Sequence, residues 1–377
     1  MEGIDYDIGI VGAGLAGLTA AIQLRKRGYS VVIFEKNSFP FHRVCGEYIS
    51  FESWDYLTDC GIDLAGMTLP VIKKIQVSSL SGILLNADLD LGGFGISRYT
   101  IDGLLAMRAR EIGVEVQDNC KVDHMEMCSD YYLIHSSTAN VRVRMAIGAF
   151  GKRSNIDVNW KRDFISRKPN ALNNYIGIKY HIKTSFPDDT IALHNFKNGY
   201  CGISKIEGNK YCLCYLTTAS NLRDSGGIKE MEQRFLYQNA YLRQLFEQSE
   251  FQYSQPLSIS QISFDTKEPV FARTPLVGDT CGMITPICGN GMSMAMHSGK
   301  LLTQLVDKYL QKQLSLDDML AAYVEEWKKQ FAVRLRTGRF VQSQLGKEWR
   351  TNLFVSLLKK FPAITNRIME KTHGRNF

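Results

Sequence analysis

The chain has 377 residues, 45% hydrophobic and 22% charged, a length that suggests two domains rather than one small core. No stretch approaches the roughly 18 apolar residues of a membrane span. The net charge of +7 gathers in residues 300–377, which hold 15 Lys and Arg against 7 Asp and Glu, but no motif or interleaved aromatic pattern points to nucleic acid.

Residues 6–11 read as a short buried strand. No basic segment followed by an apolar one precedes it, so a signal peptide is not expected. The strand runs into Gly12-Ala13-Gly14-Leu15-Ala16-Gly17, followed by helical spacing that ends near Gly28. A second strand, residues 30–34, ends at Glu35 and Lys36. This order is the dinucleotide fingerprint. Gly12 makes the tight turn, Gly14 admits a pyrophosphate, and Gly17 lets helix and strand pack closely. The helix N-terminus presents free N–H groups to phosphate, and Glu35 stands where a carboxylate accepts ribose hydroxyls.

Beyond it lie His42-Arg43-Val44-Cys45-Gly46-Glu47, then Arg98 with Asp102 four residues on, then Gly148-Ala149-Phe150-Gly151. Between and after these come strand-like runs at 72–77, 82–89, 176–182, 191–196, 200–205, 210–216 and 257–264, with a helical stretch at 228–248. Nine cysteines are scattered without a Cys-x-x-Cys pair. Neither a zinc site nor a disulfide framework is expected, and a reducing cytoplasm fits. Near the far end, Gly278-Asp279 leads to Pro286-Ile287-Cys288-Gly289-Asn290-Gly291-Met292 and a helical run to about residue 310. This second Gly-rich loop and helix is superfluous for NAD alone but suits a cofactor as long as FAD.

Taken together, residues 5–310 resemble the p-hydroxybenzoate-hydroxylase-like flavoproteins, whose late motif reads Gly-Asp-(x)n-Pro-x-x-Gly-x-Gly. The resemblance implies an α/β (α+β) fold: a Rossmann-like FAD-binding domain, an inserted mainly antiparallel substrate domain, and a C-terminal helical tail. The FAD domain is expected to be discontinuous over 1–70, 98–155 and 270–315, with the substrate domain over 71–97 and 156–269 and the tail over 316–377. Asp279 would hold the ribityl chain, and the Gly289–Gly291 amides would face the ring's N1 and C2 carbonyl. The implied cofactor set is Gly12, Gly14, Leu15, Ala16, Gly17, Glu35, Lys36, Arg43, Cys45, Gly46, Arg98, Gly151, Gly278, Asp279, Pro286, Gly289, Asn290, Gly291 and Met292. NADPH or NADH is the candidate electron donor. Phe150 replaces the Asp that serves pyrophosphate and nicotinamide in the hydroxylases, which argues against donor handling of their kind.

The segment around Arg43 and Cys45 is similar to the Arg-x-x-Cys-Gly-Gly stretch of geranylgeranyl reductases, with Glu47 in place of the second Gly. Cys45 is either a proton donor beside the flavin or a small buried thiol. His42 and Glu47 are the other candidate acids. Of the reductases' Tyr-x-Trp-x-Phe-Pro signature only Tyr200 remains. The tryptophans Trp54, Trp160, Trp327 and Trp349 match no halogenase motif. The expected activity is reduction or desaturation of a carbon–carbon bond in a hydrophobic small molecule, the alternative being hydroxylation by a monooxygenase. Halogenation and a non-catalytic flavin or lipid carrier stand behind these. The basic tail, with an apolar patch at Leu353, Phe354, Val355, Leu357, Leu358 and Phe361, reads either as a packed helical surface or as a peripheral membrane contact.

Overall fold

A computed structural model describes residues 3–168, 170 and 173–377. Positions 1–2 of the expected 1–70 segment, and 169 and 171–172 of the 156–269 segment, lie outside the described residues. The first sheet has six strands in the order Glu115–Gln117, Val31–Phe34, Tyr6–Val11, Asn140–Gly148, Tyr132–Ser136, Val122–Met127. Its first four strands are parallel and the last two antiparallel. Val31–Phe34 is buried at every position, as a strand covered on both faces must be.

The helix Leu15–Lys26 is buried from Leu15 through Leu24, because it lies between the helices Arg98–Glu111 and Gly291–Leu310. The late flavin-type motif joins this layer through the chain before it. Leu276 bridges Gly148 in parallel, and the Val277 N–H donates to the Gly148 carbonyl at 2.8 Å. Asp279 is thereby carried to the C-terminal edge of the sheet, where ligands of such folds gather.

The second sheet has nine strands: Glu250–Phe251, Tyr175–Lys183, Lys210–Thr218, Gly199–Ile206, Thr190–Phe196, Val71–Ser78, Leu84–Gly95 and Tyr48–Ser50 in order, with Leu257–Ile262 also paired to Tyr175–Lys183. All its pairs are antiparallel except Thr190–Phe196 with Val71–Ser78. Alternation assigns the faces. Ile176, Ile178, Tyr180, Ile182, Leu213 and Tyr215 pack against Met231, Phe235, Leu242 and Phe246. On the opposite face, Tyr175, Leu193, Tyr200 and Leu216 meet Met283, Ile287 and Leu345.

Three expectations change. Tyr48–Ser50, expected within the first domain, pairs with Leu84–Gly95 in the second sheet, so the chain crosses between layers right after Glu47. The expected helix at 228–248 is interrupted: a π turn, Glu232–Leu236, follows Ile228–Met231, and Ala240–Gln248 starts afresh. The restart is local chemistry. The Asn239 side chain accepts from the Tyr241 N–H at 3.0 Å while its amide donates to Ser78 Oγ at 2.9 Å and the Asn195 carbonyl at 3.0 Å. Third, the tail is no separate unit. Leu316–Gln344 packs on Gly291–Leu310, Glu348–Lys360 packs on Leu84–Gly95, and Pro362–Thr372 packs on Leu316–Gln344. None of these helices, nor any other among the described residues, is long and apolar enough to cross a membrane.

Candidate functional site

The helices that follow the two glycine-rich turns pack on each other. A Cβ at Gly12 (φ +104°) would fall 2.3 Å from the Ala149 carbonyl oxygen, and one at Gly17 would fall 2.1 Å from the Gly12 oxygen. Both glycines are therefore demanded by the protein's own packing. Gly14 differs, for the nearest atom to a Cβ there is Arg98 Nη2 at 3.7 Å. Room is kept on the open side, where the helix beginning at Leu15 has no side-chain cap and no acidic residue in its first turn. Leu15 and Ala16 are buried, so they offer this site only their backbone.

Charge is arranged around this turn. Buried Asp102 accepts from Arg43 Nε at 2.9 Å and from Arg98 Nε and Nη2, each at 2.8 Å. Burial works against the Arg98 charge, but Asp102 outweighs it and raises the Arg98 pKa. Arg43 also donates to Glu35 Oε2 at 3.0 Å, while Glu35 Oε1 accepts from the Asn37 N–H at 3.2 Å and side-chain amide at 3.0 Å. Glu35 does stand at the strand tip, but with three bonds already accepted it is not free to take both ribose hydroxyls. Lys36 is exposed beside it. Gly151 (φ +84°) donates to Thr280 Oγ1 at 2.8 Å, and no atom lies within 4 Å of where its Cβ would be. Phe150, in the place of the hydroxylases' Asp, packs edge-on to Trp160 at 5.9 Å, and Trp160 stacks on Phe271. Its role is core packing.

At the other end, Gly278 (φ +64°) sits against Ala16, since a Cβ there would come within 3.1 Å of the Ala16 Cβ. The Asp279 carboxylate makes no hydrogen bond or ion pair among the described residues. Burial pushes its pKa up, against the pull of Lys267, Arg98 and Lys152. Lys152 itself is pushed down to about 8 by burial and Arg153. The turn Pro286–Cys288 ends at Gly289 (φ +65°), which faces the Tyr48 ring. Asn290 is fully buried, and its amide donates to the Thr372 carbonyl at 3.0 Å. The side chain thus turns to the tail. Met292 reaches Cys45, Sδ to Sγ 3.6 Å. A helix start suited to anions, cations held at its side, and an unpartnered carboxylate before a second helix start suit an elongated dinucleotide such as FAD.

The candidate acids separate. Cys45 is partly accessible beside Met292, and burial raises its pKa, so the thiol keeps its proton at neutral pH. At the adjoining Gly46, a Cβ would meet nothing within 4 Å. His42 stacks on Tyr99 at 4.7 Å, and burial lowers its pKa. Glu47 is fully buried with φ +56°, the left-handed region that favours glycine. Its Oε1 accepts from the Arg98 N–H at 2.9 Å and from Lys179 Nζ, and its Oε2 lies 2.6 Å from His181 Nε2. Burial alone would raise the Glu47 pKa, but His181 and Lys179 reverse this and lower it. His181 and Lys179 thus favour the charged form of Glu47, whereas the expected role as a general acid needs the protonated one.

Sequence reasoning missed its partners. Lys179 is fully buried and also donates to the Arg43 carbonyl at 3.1 Å, and His181 Nδ1 meets Tyr253 Oη at 2.5 Å. The ligand atoms of Glu47, His181 and Cys212 lie within 4.8 Å of one another, but the Lys179 ammonium already supplies the cation such a cluster would hold. Strand alternation at Lys179, His181 and Cys212 was the only available signal for one shared face.

Beside the flavin-type turn lies a cavity of about 110 Å³. Its floor is Pro286–Gly289 with Tyr48. Ile75, Val77, Leu85, Leu89, Ile191 and Leu193 of the second sheet form one wall, and Val341, Leu345, Phe354, Val355, Leu358, Ile368 and Met369 of the tail form the other. No tryptophan lines it among the described residues. A larger open cleft of about 510 Å³ lies elsewhere, at the edge strand Val122–Met127. No residue of either glycine-rich turn lines it among the described residues.

The NAD(P)-binding Rossmann-like domain family model matches residues 10–65. Conditioned medium factor receptor 1 of Dictyostelium discoideum is 21% identical over 98% of this chain and 74% of its own length. Digeranylgeranylglycerophospholipid reductase 1 of Methanopyrus kandleri is 23% identical over 91% of each chain. Among solved structures, a geranylgeranyl bacteriochlorophyll reductase-like protein of Thermoplasma acidophilum superposes with TM-score 0.77 at 18% identity, covering 97% of this chain and 96% of that one. The flavin-dependent halogenase CmlS gives TM-score 0.79 at 18% identity, over 97% of this chain and 72% of that one. The fold is that of flavin-dependent reductases and halogenases.

Proposed function

We propose that this chain, an FAD-dependent oxidoreductase by its fold, reduces or desaturates a carbon–carbon bond of a hydrophobic small molecule. The carrying observation is the apolar cavity whose floor is the Pro286–Gly289 turn. Its size is comparable to the engineered apolar cavity of about 150 Å³ that takes up benzene, so it suits a ring or a short stretch of hydrocarbon chain. Bound FAD would supply hydride chemistry at its ring: for reduction NADPH or NADH would be the source of electrons, and for desaturation the substrate would give its two electrons to FAD, which an electron acceptor would then reoxidise.

The protein's own residues would do the rest. The Gly14–Gly17 backbone and Arg98 hold the pyrophosphate, Asp279 the ribityl hydroxyls, and the Gly289–Gly291 amides the polar edge of the ring. The aliphatic walls exclude water from the reacting bond. Cys45, whose thiol keeps its proton, is the candidate proton donor, although it lies beside Met292 at the start of the second helix and not among the residues lining the cavity. Glu47 holds Lys179 against the Arg43 carbonyl, two residues before Cys45, while Cys212 and Ser204 donate to the Cys45 and Gly46 carbonyls. His42 lies farther along the same line, at the Tyr253 end.

The test is anaerobic photoreduction of the FAD-bound protein, followed by addition of polyprenyl and aromatic candidates before air. Reoxidation without oxygen supports the reading. Turnover only with oxygen, with its label in the product, would replace it with hydroxylation. A second reading, a non-catalytic flavin or lipid carrier, gains if ligands bind without reoxidation on either route. Cys45→Ser should slow proton-dependent turnover while leaving FAD binding intact, and unchanged turnover would leave the thiol a packing residue.

A further inference from the structure

The apolar patch of the tail is divided by the fold into two faces. Phe354, Val355 and Leu358 turn inward and line the cavity. Trp349, Leu353 and Leu357 recur every fourth residue on the outward side, exposed by 65, 63 and 41%; Phe361, at the junction of the two helices, and Ile364, on the next, are exposed by 44 and 40%. Single exposed apolar residues are ordinary, but three on one helix face, followed by two more at the junction and the start of the next helix, mark a contact surface. Six bases accompany it, Lys347, Arg350, Lys359, Lys360, Arg367 and Lys371, against Glu348 and Glu370. None of the six takes part in an ion pair among the described residues.

We infer that the outward face of the helix Glu348–Lys360, continued by Phe361 and Ile364, docks on an anionic lipid surface. An apolar stripe flanked by Lys and Arg lies at the headgroup boundary, with its rings and aliphatic groups among the upper acyl carbons and its cations on the phosphates. The charge argues against a second copy as the occupant. A two-fold contact through this face would set one set of bases against the other, and two acids per copy cannot neutralise them. Docking would place the wall that carries Phe354, Val355 and Leu358 at the bilayer, which gives a lipophilic substrate a short path to the cavity. That consequence rests on the substrate reading above, whereas the docking itself does not.

The test is flotation of the FAD-loaded full chain with phosphatidylcholine–phosphatidylserine vesicles and with phosphatidylcholine alone. Binding to the anionic vesicles should exceed binding to the neutral ones by about tenfold or more. It should bring a blue shift in emission that Trp349→Phe removes. Leu353→Asp with Leu357→Asp, and separately Lys359→Glu with Lys360→Glu, should each weaken it by about tenfold, with flavin absorbance unchanged. Absence of binding, or binding indifferent to both double variants, overturns the proposal. So does a concentration-dependent dimer, seen by sedimentation without lipid, that the aspartate variant dissolves. FAD titration is read separately, so loss of the cofactor reading and loss of docking are distinguishable.

Discussion

The Asn290 amide donates to the Thr372 carbonyl at 3.0 Å, which fastens the end of the last tail helix to the turn that opens the helix Gly291–Leu310. The residue expected to serve the flavin through its loop therefore also holds the cavity wall in place. Asn290 Oδ1 and Ser293 Oγ are buried close to Glu52 without a hydrogen bond of good geometry, so this bond carries much of the local pairing.

Asn290→Ala should strand the Thr372 carbonyl and free the tail, at a cost of about 1–3 kcal/mol. Limited proteolysis should then cut between residues 345 and 373 in the variant well before it does so in the parent. Equal protection of both would show that apolar packing alone holds the wall.

Gly14 and Gly17 should respond oppositely to a single methyl group. Gly17→Ala drives a Cβ into the Gly12 carbonyl and should lower Tm with or without cofactor. Gly14→Ala meets nothing in the protein closer than 3.7 Å, so it should fold normally and lose FAD affinity. Calorimetry and flavin fluorescence quenching separate the two effects. Undiminished FAD binding by Gly14→Ala would remove this turn from the cofactor site.

Glu47 and Lys179 should be strongly coupled. Glu47→Gly relieves the left-handed backbone but leaves a buried ammonium unpaired, a loss of about 3–5 kcal/mol. Adding Lys179→Met should restore at least about 2 kcal/mol of it, because the stranded charge is gone. Denaturant titration of the two single variants and the double measures the coupling. Additive losses would mean that the pair is screened in solution.

Acid should weaken the fold through two buried histidines. Burial pushes His194 and His297 each down to about 4, below the roughly 6.5 of an unfolded chain. Between those values the unfolded state binds protons that the native state refuses, so stability is full above pH 6.5 and falls as the pH drops toward 4. For fully buried His194, 2.8 Å from Ser78 Oγ, the loss is on the order of 3 kcal/mol. Thermal melts across this range should show a shallower slope for His194→Gln, whatever its stability at neutral pH. An unchanged slope would mean that His194 stays accessible to protons.

The dinucleotide turn, the late glycine-rich loop and most strands of the second sheet were legible from sequence because each rests on neighbours within a few residues. A tight turn needs Gly12, close packing needs Gly17, and alternation marks Tyr175–Lys183 and Lys210–Thr218. The ion pair of Glu47 with Lys179, 132 residues away, has no local signature. Nor has the transfer of Tyr48–Ser50 to the second sheet, since three apolar or small residues fit either layer. Periodicity also named one apolar patch in the tail without dividing it. Only the tertiary structure decided that Phe354 and Leu358 face a cavity while Leu353 and Leu357 face outward, because a helix acquires an inside only when a particular sheet packs against it.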